Sequence, residues 1–181
     1  MPEVTVMPPL GETMGHWHDF YALLGTASAT MVGLLFVGAS VATGVFSADR
    51  RAALRVFLSA TVVNFGLIMT MCLVVLAPVR SWILLGVLIA GCGLFGLAHS
   101  GLAWRDTMLD GLIKKIDLED RTWYIALPLA GYLLVTGSGV ALALQPDIGC
   151  AVLALSVGVL LAVGLHNAWD ITLWIITRRR E

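Results

Sequence analysis

Charge is what this chain has least of. Asp, Glu, Lys and Arg make up 13% of its 181 residues, about half the share found in ordinary globular domains. With 59% hydrophobic residues and a mean hydropathy of +0.90, the chain carries more apolar surface than a water-soluble core can enclose. The length alone would allow one soluble domain, but the composition excludes it. Residues 1–15 hold no Lys or Arg, so the basic segment of a cleavable signal peptide is missing. The three cysteines, Cys72, Cys92 and Cys150, are odd in number and form no CxxC. They point to apolar packing rather than to a disulfide framework. Catalytic signatures are missing too: there is no HExxH, no GxSxG and no P-loop. Gly91, Gly93 and Gly96 fall in the middle of an apolar run, without the preceding strand that would place a pyrophosphate. The sequence names no reaction, and neither an enzyme activity nor a resident cofactor is expected.

What the chain does have is long apolar runs. Five of them, at about residues 20–46, 56–79, 82–104, 122–145 and 148–177, each provide the roughly 20 apolar residues that a helix needs to cross about 30 Å of hydrocarbon. The expected fold is all-α, a five-helix transmembrane bundle. Residues 1–15, with Pro2, Pro8, Pro9, Glu3 and Glu12, read as a disordered outer tail, and residues 16–181 as a single transmembrane domain. Trp17, Trp82, Trp104, Trp123 and Trp174 lie near the predicted helix ends, where an aromatic belt belongs. Pro78-Val79-Arg80-Ser81 and Gln145-Pro146-Asp147 read as tight turns.

Residues 105–121 form the one extended polar connection. Met108, Leu109, Leu112, Ile113 and Ile116 recur there with helical spacing against Asp106, Asp110, Lys114 and Asp117, the pattern of a short amphipathic helix on the membrane surface. Its acids outnumber its bases by five to four, which makes it a poor polybasic lipid binder. Leu112, Ile113 and Ile116 are the candidate contacts with a partner protein or another subunit.

Basic residues sort themselves by side. Arg50, Arg51, Arg55, Arg105, Lys114, Lys115, Arg121 and Arg178 to Arg180 fall on one side of a five-span topology, and Arg80 alone on the other. The positive-inside rule then puts the N-terminus outside and the C-terminus in the cytoplasm, with the amphipathic helix between helices 3 and 4 cytoplasmic. Topology accounts for the basic residues, so nucleic-acid binding is set aside.

The last run contains His166 and Asp170, an ionisable pair four residues apart. Such a pair inside a membrane is a functional hypothesis by default. Counted at 1.5 Å per residue from the cytoplasmic helix ends, His99 lies about 8 Å deep, Asp170 about 10 Å, and Asn64, Tyr132 and His166 about 14 to 16 Å. Four helices thus bring polar groups into one slab. Ala154, Gly158, Ala162, His166 and Asp170 follow at four-residue steps, a small-residue stripe expected to face the bundle interior. On the first helix Gly25, Ala29 and Gly33 repeat the spacing, as do Ser40 and Gly44, and are expected inside the bundle or at a subunit contact. Cys92, Gly96, His99 and Ala103 place His99 among small residues.

The bland reading of the slab is hydrogen-bond glue, worth about 0.6 kcal/mol per interaction. The sharper reading is passage or sensing of an ion or proton through His166 and Asp170, with His99, Asn64 and Tyr132 as neighbours, since a histidine beside a carboxylate relays protons. Too few helices are present for an inverted-repeat transporter, so a pore would be built by a homo-oligomer. A structural or regulatory subunit holding a partner protein is the alternative. A third reading sets His99, His166 and Asp170 around a metal or haem, but the two histidines differ by about 8 Å in depth. His16, His18 and Asp19 at the outer end are weak metal candidates, read instead as a solvated anchor around Trp17.

At Asp19-Phe20-Tyr21-Ala22-Leu23-Leu24-Gly25-Thr26-Ala27, continuing to Gly33-Leu34-Leu35-Phe36-Val37, the chain resembles a widespread group of small bacterial membrane proteins of unassigned function. The resemblance covers the first helix. It implies a bacterial inner-membrane protein and brings no catalytic or binding residues with it.

Overall fold

In hydrocarbon every backbone N–H and C=O must be paired within the chain, and the apolar runs accordingly become long helices. The computed structural model describes residues 9–43, 48–109 and 121–177. Helix α1 spans Leu10–Thr43, α2 Ala48–Leu76, α3 Trp82–Leu109, α4 Leu127–Leu144 and α5 Pro146–Thr177. Each of the five carries a stretch long and apolar enough to cross a membrane.

Prolines set the ends. The carbonyl of Pro9 accepts from the N–H groups of Glu12 and Thr13, so α1 starts at Leu10, well inside the expected 1–15 tail. Glu12 in the first turn offsets the positive end of the helix dipole. Pro78 follows the end of α2, where the Ala77 N–H still bonds to Leu73. Gln145 is extended, at φ −142° and ψ 84°, as a residue before proline prefers, and Pro146 then opens α5. Beyond Arg105 the chain continues α3 to Leu109. The remainder of the predicted amphipathic helix, with Leu112, Ile113 and Ile116, lies outside the described residues.

Helices α2, α3, α4 and α5 close a ring in which each packs on the next, while α1 docks outside it, mainly on α2 and to a lesser extent on α5. Phe65, Ile68, Met71, Leu85, Ile89, Val135, Leu142, Leu153, Val157 and Leu160 are fully buried in the ring. Cys72 and Cys150 are buried in the same apolar core. Trp82 belongs to that core as well, rather than to an interfacial belt.

The tightest seam is α3 against α4, and glycine makes it possible. A Cβ on Gly139 would lie 2.6 Å from both the Ala90 nitrogen and the Gly86 oxygen, distances no side chain tolerates. Gly86 meets the Gly139 carbonyl just as closely. The α1 stripe behaves otherwise. A Cβ on Gly25 would touch Cys72 at 3.1 Å, but Gly33 has nothing within 4 Å and Ala29 is exposed. Only 11% of the α1 span is buried, against 50% of α5, so beyond Gly25 the stripe faces out of the bundle, and of its two expected placements only the subunit contact is left open.

On α5 the expected packing face is also displaced. The buried positions include Leu153, Ala154, Val157, Leu160, Val163, Gly164, Asn167 and Ile171, whereas Ala162 is exposed and Gly158 half-buried. A step of four residues turns about 40° past a full circle at 3.6 residues per turn, so a four-step ladder that starts buried at Ala154 has rotated off the face by His166.

Gly139→Leu forces a side chain into the Ala90 backbone and is expected to cost at least about 1–3 kcal/mol, seen as a lowered unfolding midpoint of the detergent-solubilised protein. Gly91→Ala, with nothing within 4 Å, is expected to leave that midpoint unchanged or slightly raised, by the roughly 0.4–1 kcal/mol of a compatible glycine replacement.

Candidate functional site: a polar clamp beside a stacked histidine

Most hydroxyls in the spans are satisfied locally. Thr26, Thr30, Ser40, Thr70, Thr136, Ser156 and Thr172 each donate to the carbonyl four residues back, and Ser138 to the one three back. Such back-bonding consumes the donor within its own helix. The groups that reach between helices are therefore few.

Asn64 is the centre of one cluster. Its Nδ2 donates to the Leu160 carbonyl at 3.0 Å, and its Oδ1 accepts from the Tyr132 hydroxyl at 2.9 Å. The amide orientation follows from the chemistry, because a carbonyl can only accept. One amide thus ties α2 to both α4 and α5. Two glycines make room for it. A Cβ on Gly96 would collide with the Tyr132 ring, and one on Gly164 would lie 2.7 Å from Asn64 Nδ2. Tyr132 itself is 3% exposed, and Asn64 is half-buried. Asn64 and Tyr132, expected in one slab, are brought together.

His166 and Asp170 form a second cluster, on the flank of α5. The His166 Nδ1 stands 3.2 Å from Asp170 Oδ2, with 28% and 36% of the two side chains exposed. The expected burial of this pair is corrected: both are half-exposed, because the four-step ladder rotates them away from the α5 packing face. The contact has ion-pair distance without hydrogen-bond geometry, leaving Nδ1 with no hydrogen-bond partner. Over the imidazole lies Trp123, its ring 3.9 Å from that of His166 and 5° from parallel.

A π-helical turn, Thr122–Ala126, puts Trp123 there. Pro128 occupies the first turn of α4 and the Leu127 N–H reaches back five residues, to the Thr122 carbonyl. Proline has no N–H for the Tyr124 carbonyl four residues earlier, and the widened turn takes up the defect. The adjacent Tyr124 hydroxyl donates to the Asn167 carbonyl at a long 3.5 Å. Asn167 is 7% exposed and its Oδ1 has no partner. Neither Trp123 nor Asn167 was expected here. The signal in the sequence was Pro128, six residues into a span, since an internal proline disturbs the turn before it.

His99 is half-buried on α3, one turn beyond Gly96. His16 and His18 are two residues apart on the helical part of α1, about 200° around the axis, and so point to opposite sides. His18 instead lies 3.1 Å from Asp19, both exposed. Among the described residues no group of three His, Cys, Asp or Glu is placed to hold a metal ion. Among the described residues one cleft of about 540 Å³ lies beside Glu12, His16, Trp17 and Asp147 and another of about 250 Å³ between Leu34, Gly38, Leu165 and Trp169. Both lie against α1 and open outward.

Five helices, each able to span a bilayer, are the architecture of a multi-pass membrane protein. Comparison with protein-family models, curated proteins and solved structures finds no match for the chain.

Tyr132→Phe leaves the Asn64 oxygen without its donor. The expected loss is about 0.6 kcal/mol and no more than about 1.7 kcal/mol, read from equilibrium unfolding. Asn64→Ala should cost more, and a double-mutant cycle of the two should show a coupling of similar size to the single bond.

Proposed function

We propose that the chain is a structural or regulatory subunit of the bacterial inner membrane, acting through its outer faces as a homo-oligomer or on a partner protein rather than through a pore of its own. One observation carries this reading. Asn64 and Tyr132, polar side chains that meet across the ring, are bonded to one another and to the Leu160 carbonyl among fully buried apolar side chains, an arrangement that packs the middle of a protomer together rather than lining a path through it. The ten-to-one distribution of basic residues supports an N-terminus outside and a C-terminus in the cytoplasm. The first-helix resemblance supports the inner membrane. In this topology the loop with Leu112, Ile113 and Ile116 is cytoplasmic and is the docking point for the partner.

A second reading, ion or proton passage along a seam between protomers, is favoured by the position of His166 and Asp170. They lie half-exposed on the outside of the ring, where a neighbouring protomer would meet them, and an ionisable pair at membrane depth is costly against lipid alone.

Proton flux into dye-loaded liposomes separates the two. The purified protein is expected to conduct no faster than protein-free vesicles. Flux that Asp170→Asn abolishes would overturn the subunit reading in favour of the seam. Leu112→Glu with Ile113→Glu is expected to abolish co-purification of the partner, and an unchanged pull-down would remove the loop from the interface.

A further inference from the structure

Helix α1 is packed against the ring as far as Ser28 and open beyond it. Tyr21, Leu24 and Ser28 are buried, whereas no residue from Ala29 to Ser40 is. Over those last three turns α1 and α5 part, and the cleft of about 250 Å³ is the wedge between them. Leu34, Leu35 and Gly38 line it on α1, and Leu165, Trp169 and Thr172 on α5. The Thr172 hydroxyl is spent on the Ala168 carbonyl, so the walls are apolar apart from the indole N–H of Trp169. At membrane depth such walls gain dispersion contacts from any hydrocarbon laid between them and forfeit those contacts across a gap.

We propose that the wedge seats an acyl chain of an anionic phospholipid, whose phosphate is held by the arginines at the adjoining helix ends. Depth fits this occupant. From Thr172 to Thr177, where α5 ends, is about 7.5 Å, and the headgroup layer on each side of a bilayer is about 5–8 Å thick. A chain lying in the wedge therefore brings its phosphate to the level of the end of α5. Arg178, Arg179 and Arg180 follow there in the sequence, and a guanidinium matches two phosphate oxygens at once. Trp169 is 62% exposed at the edge of the wedge and offers its N–H beside an apolar ring, the combination that suits an indole to the boundary between lipid tails and headgroups.

Charge at this end of the bundle selects an anion. Helix α2, which packs on both α1 and α5, begins here with Asp49, Arg50, Arg51 and Arg55. Together with the end of the chain, six arginines stand against Asp49, Asp170 and Glu181. Asp170 and its neighbour His166 are turned about 100–160° around the α5 axis from Leu165 and Thr172, so the carboxylate does not face the wedge. A zwitterionic lipid fills the same space but brings its own positive charge to the arginines. The inference goes beyond the subunit reading and needs neither a partner protein nor a choice of leaflet.

Brominated acyl chains quench an indole only at close contact, and Trp169 is the reporter. Its emission is the difference between wild type and Trp169→Phe, read in phosphatidylcholine nanodiscs that carry increasing fractions of a brominated lipid, either phosphatidylglycerol or phosphatidylcholine. Half-quenching is expected at a fraction of brominated phosphatidylglycerol at least about fivefold lower than of brominated phosphatidylcholine, the factor that one arginine contributes near an anionic surface. Replacing Arg178, Arg179 and Arg180 with Gln should bring the two lipids together. Gly38→Leu, placed where nothing lies within 4 Å, fills the wedge, leaves every arginine in place and should abolish the preference as well. Should Gly38→Leu fail to fold, Ala168→Leu narrows the wedge from the other wall and takes its place. Equal quenching by the two lipids in wild type overturns the proposal. So does a preference that survives filling the wedge, which marks attraction of headgroups to the surface without a seated chain, or one that survives loss of the three arginines. Quenching by neither lipid marks a wedge covered by a second copy of the chain and overturns it too. No flux or pull-down enters this measurement, so its failure leaves the subunit reading standing, and flux in liposomes would overturn that reading without touching the lipid seat.

Discussion

Lipid tails are as apolar as leucine, so helices in a membrane gain nothing from hiding leucine from their surroundings and must be held by close contact and by polar bonds. The Gly86–Gly139 approach is where this constraint is met most directly, and much else hangs from it. With α3 drawn against α4 at that depth, Gly96 comes to lie under the Tyr132 ring. The ring is thereby held where its hydroxyl reaches Asn64. Asn64, let in by Gly164, then fastens α2 to α5 through the Leu160 carbonyl. A missing side chain in one seam thus positions a hydrogen bond between two other helices.

Position along each helix was legible in the sequence; rotation about its axis was not. Hydropathy placed five helices, and the structure has five that are long and apolar enough to span. α2 begins at Ala48 rather than near residue 56 because Arg50, Arg51 and Arg55 are good helix formers and an acidic residue, Asp49, suits a first turn, though all lie outside an apolar window. Counting depth grouped Asn64 with Tyr132 correctly, since rise per residue is one number and accumulates little error. Facing direction depends on phase, which a ladder of four-residue steps loses at about 40° per step. His166 was aimed inward for that reason and is found on the flank. On α1, Ala29 and Gly33, at four-residue steps from Gly25, turn off the contact with α2 in the same way.

The π turn shifts phase by a different route. One extra residue in a turn rotates everything before it by about 100° relative to an unbroken helix. Trp123 therefore leaves the belt position that its place near a helix end suggests and covers His166. Hydropathy has no means of registering such an insertion; Pro128 does mark it, but only to a reader who asks where the Tyr124 carbonyl finds its donor. Polar content misleads in the opposite direction. Eight hydroxyl side chains return to their own helix and contribute to no path at all. The groups worth following are those joined across helices, or left with an unmade bond.

The Asn64–Leu160 hydrogen bond joins residues 96 positions apart, and that separation bears on how the chain is made. A growing chain meets the membrane in order, α1 first, and the α1–α2 and α3–α4 contacts involve neighbours in sequence. The ring itself closes through α5, which follows α4 in the chain and packs on α2 as well. Until then the Asn64 amide has only Tyr132 to bind, and before α4 is inserted not even that. A chain that stops before Leu160 therefore lacks the carbonyl that ties α2 to α5, and the Asn64 amide N–H is left without that acceptor.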